Sequence, residues 1–236
     1  MRIAVPSILV LLVFVGMTLA ADNTPPDGFI ALFNGKDFTN WKVPEGDNGH
    51  WKVVNGIIDY DGKSEGKGDK CLWSEKQFGD VTIMIDWRWS GPIRKVKHPF
   101  ILPDGTHRKG PDGKEELIEV DEAGDSGIYL RGNSKSQVNF WCWNCGSGEV
   151  YGYRMDPKMP AEVRAGVTPK KNMDKPIGQW NTMEITIKGD RLWVKNNGEE
   201  VITNAQLPGV PATGAIALQH HGDPIQFKNI YVRELK

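Results

Sequence analysis

Three side chains in the second half of the chain carry groups suited to acid–base chemistry. Asp125, Glu149 and His221 each lie in or beside an alternating or glycine-bounded segment. A carboxylate or an imidazole can take a proton near neutral pH when its surroundings adjust its pKa. These three are therefore the predicted catalytic residues, and Asp86 and Asp121 are weaker candidates. Their separation in the sequence leaves open which pair lies at a productive distance.

The segments around these residues alternate apolar and polar side chains, which is typical of strands with one buried face. Within residues 125–131, for example, Ile128 and Leu130 share one face while Tyr129 lies on the other. The opposite faces of four such segments gather amide, guanidinium, carboxylate and aromatic groups. The predicted binding residues are Asp86, Arg88, Tyr129, Arg131, Gln137, Asn139, Trp141, Tyr151 and Gln219.

The composition of these faces indicates the kind of ligand. An ordinary solvated face would favour Lys, Glu, Thr and Ser. Planar amides and arginine forks instead form paired hydrogen bonds with sugar hydroxyls, and flat aromatic rings stack on sugar C–H faces. A small residue such as Gly127 lets a ligand approach the backbone. The pattern therefore favours a carbohydrate-binding face.

The elements that must position these residues are short strands separated by glycine turns. Asn55-Gly56 and Asn197-Gly198 indicate hairpins, because both central positions of such turns need a positive φ. Strands are predicted at 51–54, 57–59, 81–89, 127–131, 137–141, 150–154, 181–188, 191–195, 200–203, 215–219 and 225–232. No long stretch has a helical period, so the pattern predicts an all-β sandwich or jelly roll.

Residues 91–119 interrupt this rhythm. They contain Pro-Asp-Gly turns at 103–105 and 111–113, which predict a long excursion with a hairpin of its own. Loops of this length are uncommon and are often functional. The excursion is either a decorated edge without a role or a functional segment.

The N-terminus predicts the compartment. Arg2 gives a positive start, residues 8–15 form an apolar run, and 18–20 end in small residues. The run is shorter than the roughly 20 residues that span a bilayer. We therefore predict a signal peptide over 1–20, a linker over 21–27 and one domain over 28–236, exported to the periplasm or secreted. The protein has no membrane partner after cleavage; a retained anchor is the alternative.

Charge and cysteine usage exclude two classes of function. The net charge of −1 comes without a basic stripe, so no nucleic-acid partner is expected. Cys142 and Cys145 have redox-motif spacing, but that chemistry needs a following helix, and 150–154 is predicted as a strand. A structural disulfide, with Cys71 as a further partner, or reduced thiols is expected instead. A second ligand pair suited to zinc is not seen.

Several motifs resemble one known family in order along the chain. They are Gly28-Phe29, Leu32–Asp37 with Trp41, Asp125–Gly132, Glu149–Arg154, Gly178–Asn181 and Leu218–Gly222. Together they are similar to the domain once called DUF1080 and now named for 3-keto-disaccharide hydrolase activity. The resemblance implies a concanavalin A-like jelly roll in which two antiparallel sheets stack and the concave one carries the site.

The resemblance also implies a reaction on glycosides oxidised to a ketone at C3. The ketone acidifies the C2 proton, so a general base can form an enediolate, expel the C1 substituent and leave an enone that water hydrates. Arg131, Arg88 or a divalent metal would stabilise the enediolate. Many relatives carry Glu-x-Gln where this chain has Gln137-Val138-Asn139, and an amide cannot act as a base.

The sequence therefore predicts an exported enzyme that cleaves 3-keto-glycosides, with an oxidised glycoside as its partner. Glu149 or His221 would replace the family carboxylate as the base. The alternatives are a non-catalytic carbohydrate-binding module and a domain unrelated to sugar. Oligomeric state and metal dependence stay open.

Overall fold

The computed structural model describes residues 22–236. The predicted signal peptide over 1–20 lies outside the described residues. None of the helices within 22–236 is long and apolar enough to cross a membrane.

Short strands dominate the described chain, as the turn spacing predicts. The strands are β1 Ile30–Ala31, β2 Trp41–Lys42, β3 Trp51–Val54, β4 Ile57–Tyr60, β5 Leu72–Phe78, β6 Val81–Trp89, β7 Arg94–Pro99, β8 Leu117–Glu122, β9 Ser126–Leu130, β10 Asn133–Phe140, β11 Asn181–Lys188, β12 Arg191–Asn196, β13 Glu199–Gln206, β14 Gly214–Leu218 and β15 Ile225–Glu234. Two short helices, α1 Tyr151–Arg154 and α2 Ala161–Gly166, lie between β10 and β11.

The strands form two large antiparallel sheets and one small one. The eight-stranded sheet has the order β13-β12-β11-β6-β15-β4-β3, with β1 paired to β15. The five-stranded sheet has the order β10-β9-β14-β5-β2, and β7 pairs with β8 alone. The prediction of an all-β jelly-roll sandwich of two antiparallel sheets is confirmed.

The core lies between the two large sheets and follows from strand parity. The alternate residues of β6 from Val81 to Trp89 are almost completely buried. Ile128 of β9 and Phe140 of β10 are buried on the facing sheet. The rings of Trp87 and Phe140 stack at 4.8 Å between centroids and so join the two layers. Burying each such side chain contributes roughly 1.5–3 kcal/mol, so this parity fixes which faces point outward.

The strand predicted at 150–154 is wrong. Residues 151–154 form α1, where the amides of Tyr153 and Arg154 donate to the carbonyl of Val150. Gly146 and Gly148 precede it with φ of +78° and +113° and turn the chain away from the sheet. Val150 and Tyr153 are both buried at a spacing of three residues, which suits a helical turn. Five residues are too few to distinguish the two periods.

The segment predicted as a linker is held against the eight-stranded sheet. Asp22 accepts a hydrogen bond from Lys228 at 2.7 Å, and the amide of Asn23 donates to Asn229 at 2.6 Å. The side-chain amide of Asn23 also donates to the carbonyl of Gly56 at 3.0 Å. The domain therefore uses these residues as part of its outer surface.

Asp86 and Arg88 have the predicted parity but lie on the other sheet. They project from the outer face of the eight-stranded sheet, where Asp86 accepts from Thr182 at 2.6 Å. Arg88 donates to Gln226 at 2.7 Å and lies over the ring of Trp180. Parity fixes the face of a strand but not the sheet to which the strand belongs. Their predicted role on the sugar face is therefore corrected.

Arg131 is also turned away from the predicted face. Its φ of +53° ends β9, and its guanidinium donates to the carbonyls of Gly79, Gly189 and Pro211. It also forms an ion pair with Asp80 at 2.9 Å while its side chain is only 3% exposed. Arg131 thus links three loops and lies outside the predicted site.

We predict that Arg131→Met lowers the free energy of unfolding by about 2–4 kcal/mol, because three backbone carbonyls and the Asp80 carboxylate lose the buried guanidinium that joins them. Urea denaturation measures this change. Arg191→Met, at a half-exposed position, is the matched control and should change stability by less than about 0.5 kcal/mol. Equal stability of the two variants would contradict this structural role.

Candidate functional site

A polar pocket of about 260 Å³ opens on the outer face of the five-stranded sheet, where β9, β10 and β14 end. It is lined by Asp125, Gln137, Asn139, Trp141, Trp143, Tyr151, Gln219 and His221. Seven of these eight residues come from the predicted set, and Trp143 is the addition. The structure thus brings together side chains that are up to 96 positions apart in the sequence.

Strand register places the amides of the pocket side by side. Gln137 pairs with Tyr129 and Asn139 pairs with Gly127 across β10 and β9. The backbone amide of Gln219 donates to the backbone carbonyl of Gly127 at 2.9 Å, and this bond places the residue that follows β14 beside the other two. A Cβ atom at Gly127 would lie 2.5 Å from the Gln137 side chain. Glycine is therefore required there for Gln137 to cross the neighbouring strand.

A chain of hydrogen bonds forms the floor of the polar pocket. The Gln137 amide donates to the carbonyl of Ser126 at 3.2 Å and to the side chain of Gln219. Tyr129 does not line the pocket. Its ring lies 5.8 Å from that of Trp73. Gln137 is thus a neutral group that positions its neighbours in the pocket.

Asp125 is the ionisable group in the polar pocket with the most unusual surroundings. Its Oδ1 atom is buried without a hydrogen-bond partner. The pKa of Asp125 is raised to about 6, chiefly by burial; His221 opposes the rise, and the charges of Asp223 and Glu122 add to it. Asn139 likewise has a buried, unpartnered Oδ1. A buried polar atom without a partner is uncommon and indicates a position where a ligand or water binds.

The excursion over 91–119 forms the predicted hairpin, β7–β8, and an ion-pair network holds it beside the polar pocket. Arg94 donates to Glu122 at 2.8 Å and to Asp223 at 3.0 Å. Glu122 also contacts His98, and Asp223 accepts from the backbone amide of Asp125 at 3.0 Å. The hairpin is therefore connected to the candidate base through two carboxylates.

Stacked rings complete the wall between the hairpin and the polar pocket. His98 stacks on Trp143 at 4.6 Å, and Trp143 stacks on Trp141 at 4.4 Å with an interplanar angle of 8°. Tyr151 meets Trp141 edge-on at 5.9 Å. The spacing of Trp141 and Trp143 by two residues was the available signal for Trp143. The sequence interpretation of this segment considered the redox-motif spacing of the neighbouring cysteines and did not consider the aromatic pair.

Glu149 does not line the polar pocket, although it is a predicted catalytic residue. Its side chain is fully buried and forms an ion pair with the buried Arg154. Arg154 also contacts His107 at 3.0 Å, and its guanidinium lies 5.5 Å from the ring centre of Tyr151. Burial raises the pKa of the Glu149 carboxyl and the Arg154 charge opposes that rise. The pair supports the wall from behind, so the direct catalytic role is corrected.

All three cysteines are free thiols. Burial raises the pKa of Cys142 to about 11 and that of Cys71 to about 12, and it raises the pKa of Cys145 as well. Thiol chemistry needs the thiolate, which these surroundings disfavour. The Cys142–Cys145 segment therefore has the character of a reduced structural loop.

Within residues 22–236, no group of three or more His, Cys, Asp or Glu side chains is arranged to hold a metal ion. The divalent metal considered from the sequence thus has no ready donor set here, and we derive no step through one.

Comparison with known proteins places this chain in a family. The chain belongs to the family of 3-keto-alpha-glucoside-1,2-lyase-like domains, whose model matches residues 28–233. A curated relative from Bacteroides thetaiotaomicron, named 3-keto-disaccharide hydrolase, is 23% identical over 89% of this chain and 79% of its own length. The recognition made from the ordered motifs is confirmed.

Two solved structures from Parabacteroides distasonis share the fold. Both are described as candidate glycosyl hydrolases. One superposes with a TM-score of 0.61 at 20% identity and covers 92% of this chain and 100% of its own. The other has a TM-score of 0.56 at 23% identity and covers 89% and 85%. At these identities the likeness establishes a common fold.

We predict that Glu149→Gln lowers the free energy of unfolding by about 3 kcal/mol or more, because it leaves the buried Arg154 charge uncompensated. The double variant Glu149→Gln/Arg154→Met should recover much of this loss, and urea denaturation compares the two. Glu199→Gln, at an exposed position, is the control. A single variant with wild-type stability and no turnover would instead support the original catalytic role of Glu149.

Proposed function

We propose that this protein cleaves 3-keto-glycosides by elimination at C1 followed by addition of water. The family and the name of its curated relative support the substrate class. The observation that carries the proposal is the Asp125 carboxyl, which has a buried, unpartnered oxygen and a pKa of about 6 at the wall of the polar pocket. A base with a pKa near the working pH is suited to general catalysis.

In the first step, Asp125 takes the C2 proton of the sugar. The electron pair of the C2–H bond forms a C2–C3 double bond, and the C3 carbonyl oxygen becomes negatively charged. The adjacent ketone makes this proton acidic enough for a carboxylate base. Burial of Asp125 also raises its basicity, because desolvation destabilises the charged form.

In the second step, the enediolate re-forms the C3 ketone, a C1–C2 double bond forms, and the C1–O bond breaks. The leaving oxygen needs a proton. His221 lines the polar pocket, and no side chain within residues 22–236 forms a hydrogen bond with it. We assign His221 as the donor of that proton. Water then adds across C1 and C2, which returns a proton to C2 and completes a net hydrolysis.

Neutral hydrogen-bond donors would stabilise the enediolate oxygens. Arg131 and Arg88, the positive groups considered from the sequence, lie elsewhere. Of the described residues, those that line the polar pocket include no Arg or Lys. The side-chain amide of Asn139 and the indole of Trp143 are available donors at the wall. Preorganised donors in a partly dry pocket can lower such a barrier substantially.

We also propose that the protein acts outside the cytoplasm, on the sequence pattern of residues 1–20. Cleavage after Ala20 predicts that N-terminal sequencing of the protein recovered from its host begins at Ala21. A protein that begins at Met1 would contradict export through a cleaved signal.

We predict that Asp125→Asn lowers kcat/KM for a chromogenic 3-keto-glucoside by at least about 10²-fold, because the amide cannot accept the proton. Asp112→Asn, at the exposed tip of the hairpin segment, is the control and should retain full activity. Glycan binding that survives Asp125→Asn, with no turnover by the wild type, would favour the carbohydrate-binding module instead.

The same carboxyl predicts the pH dependence. Asp125 acts deprotonated, so kcat/KM should rise with pH along an acidic limb centred near pH 6. Asp223→Asn removes a charge that raises this pKa, and the acidic limb should then move to lower pH. An unshifted limb in that variant would contradict the assignment of the limb to Asp125.

The contribution of Asp125 to the free energy of unfolding should decrease with rising pH, whereas kcat/KM increases. The pKa of Asp125 is higher in the folded protein than its ordinary value of 3.8, so protonation favours the folded state. This contribution is present below about pH 4 and is lost as the pH rises through about 6. Asp125→Asn should therefore raise the free energy of unfolding at pH 7 by about 1–3 kcal/mol, measured by urea denaturation.

A further inference from the structure

A second cavity, of about 490 Å³, also borders Trp141. We call it the apolar cavity; it is lined by Trp87, Trp89, Ile93, Asp121, Trp141, Cys142, Asn172, Asp174, Lys175, Pro176 and Ile177. Its volume is in the range that holds a small-molecule ligand. The reaction at Asp125 does not use any residue of this lining directly.

Most polar groups around the apolar cavity are already bonded to the protein. Asp174 accepts from the amide of Ser147 at 2.9 Å and from Asn196 at 2.6 Å. Lys175 donates to a backbone carbonyl at 3.0 Å, and Asp121 forms an ion pair with a lysine at 2.8 Å. Both oxygens of Asp174 are therefore engaged, whereas Asp121 and Lys175 are exposed and remain in contact with solvent. The rest of the lining is chiefly aromatic and aliphatic.

A buried indole contributes to this lining. The indole Nε1 of Trp87 is buried and has no hydrogen-bond partner, while the side chain is 1% exposed. Its ring is fixed by stacking on Phe140 and by an edge contact with Trp89. Fixed, flat indoles beside Ile93 and Ile177 favour a flat, largely apolar ring, and a sugar with a hydroxyl on most carbons would find fewer hydrogen-bond partners there.

The apolar cavity and the polar pocket adjoin each other at Trp141. Trp141 lines both of them. The backbone from Asp121 to Asp125 also runs from one to the other, and four residues span at most about 14 Å. A leaving group attached at C1, next to the carbon that loses its proton, lies at the edge of the sugar. It can therefore extend from the polar pocket into the apolar cavity.

We propose that the apolar cavity binds a ring-shaped, largely apolar leaving group of the glycoside whose oxidised sugar occupies the polar pocket. Aryl and arylmethyl glycosides represent this class of substrate. The inference rests on the proposed function and specifies the half of the substrate that the reaction chemistry leaves open.

The test compares the benzyl and methyl glycosides of 3-keto-glucose, whose alkoxide leaving groups are similar in basicity, with a 3-keto disaccharide. The full protein should show a kcat/KM for the benzyl compound roughly tenfold or more above that for the methyl compound, mainly through KM, because the ring is removed from water. The disaccharide should remain below the benzyl compound.

Ile93→Asn and Leu117→Asn form a matched pair of variants. Ile93 lines the apolar cavity, Leu117 does not, and both are on or beside the hairpin with exposures of 59% and 54%. Ile93→Asn should reduce the benzyl-to-methyl ratio by about threefold or more, and Leu117→Asn should leave it unchanged. Both exposed positions tolerate a polar side chain, so the comparison does not depend on a damaged core.

Turnover of all three substrates with no preference for benzyl, or an equal effect of both variants, overturns the inference and leaves the proposed function intact. Absence of turnover for every substrate overturns the proposed function. In that case calorimetric binding of unoxidised benzyl and methyl glucosides decides whether the apolar cavity binds an apolar ring. Tighter binding of the benzyl compound that Ile93→Asn weakens supports it, and equal binding overturns it.

Discussion

The site depends on the incomplete solvation of one carboxyl group. Asp125 keeps a buried oxygen without a protein partner, beside the negative charges of Asp223 and Glu122. This arrangement disfavours the ionised form and thereby makes the group a stronger base. A folded protein tolerates such a group only if the surrounding structure fixes it, because the isolated cost is of the order of 1–3 kcal/mol. Much of the structure around the polar pocket fixes the Asp125 carboxyl in this position.

The support comes from three parts of the fold. Stacking of Trp87 on Phe140 between the two large sheets sets the position of β10. The hairpin β7–β8 carries Arg94, which joins Glu122 to Asp223 and keeps both carboxylates near Asp125 without leaving them unpaired. Behind the aromatic wall, the buried pair of Glu149 and Arg154 holds the segment after β10. The excursion is thus part of the site.

Sequence reasoning located the face of the site better than its chemistry. Period-two alternation identifies which side chains of a strand avoid the core, and this was enough to gather Gln137, Asn139 and Gln219 in one pocket. It does not say which sheet a strand joins, so Asp86 was placed on the wrong one. It also fails where a backbone leaves the strand, as Arg131 does with its positive φ.

The role of Glu149 shows a second limit. Its burial depends on an ion pair with a residue in a helix of four residues, and no periodic signal in so short a segment separates helix from strand. The role of Trp143 was missed for another reason, since it stacks on Trp141, directly after β10, and on the distant His98 of β7. The Trp143–His98 stack is a contact between distant segments, whereas Glu149 and Arg154 are only five positions apart. Contacts between distant segments follow from topology, which alternation alone leaves undetermined.

The most direct test of the account follows the C2 hydrogen of a 3-keto-glycoside deuterated at that carbon. Proton abstraction by Asp125 predicts that the keto-sugar released in ordinary water carries hydrogen at C2, detected by NMR or mass spectrometry at early times. Deuterated keto-sugar kept in buffer without enzyme corrects for spontaneous exchange. Full retention of deuterium in the enzymatic product would contradict elimination and indicate direct displacement at C1.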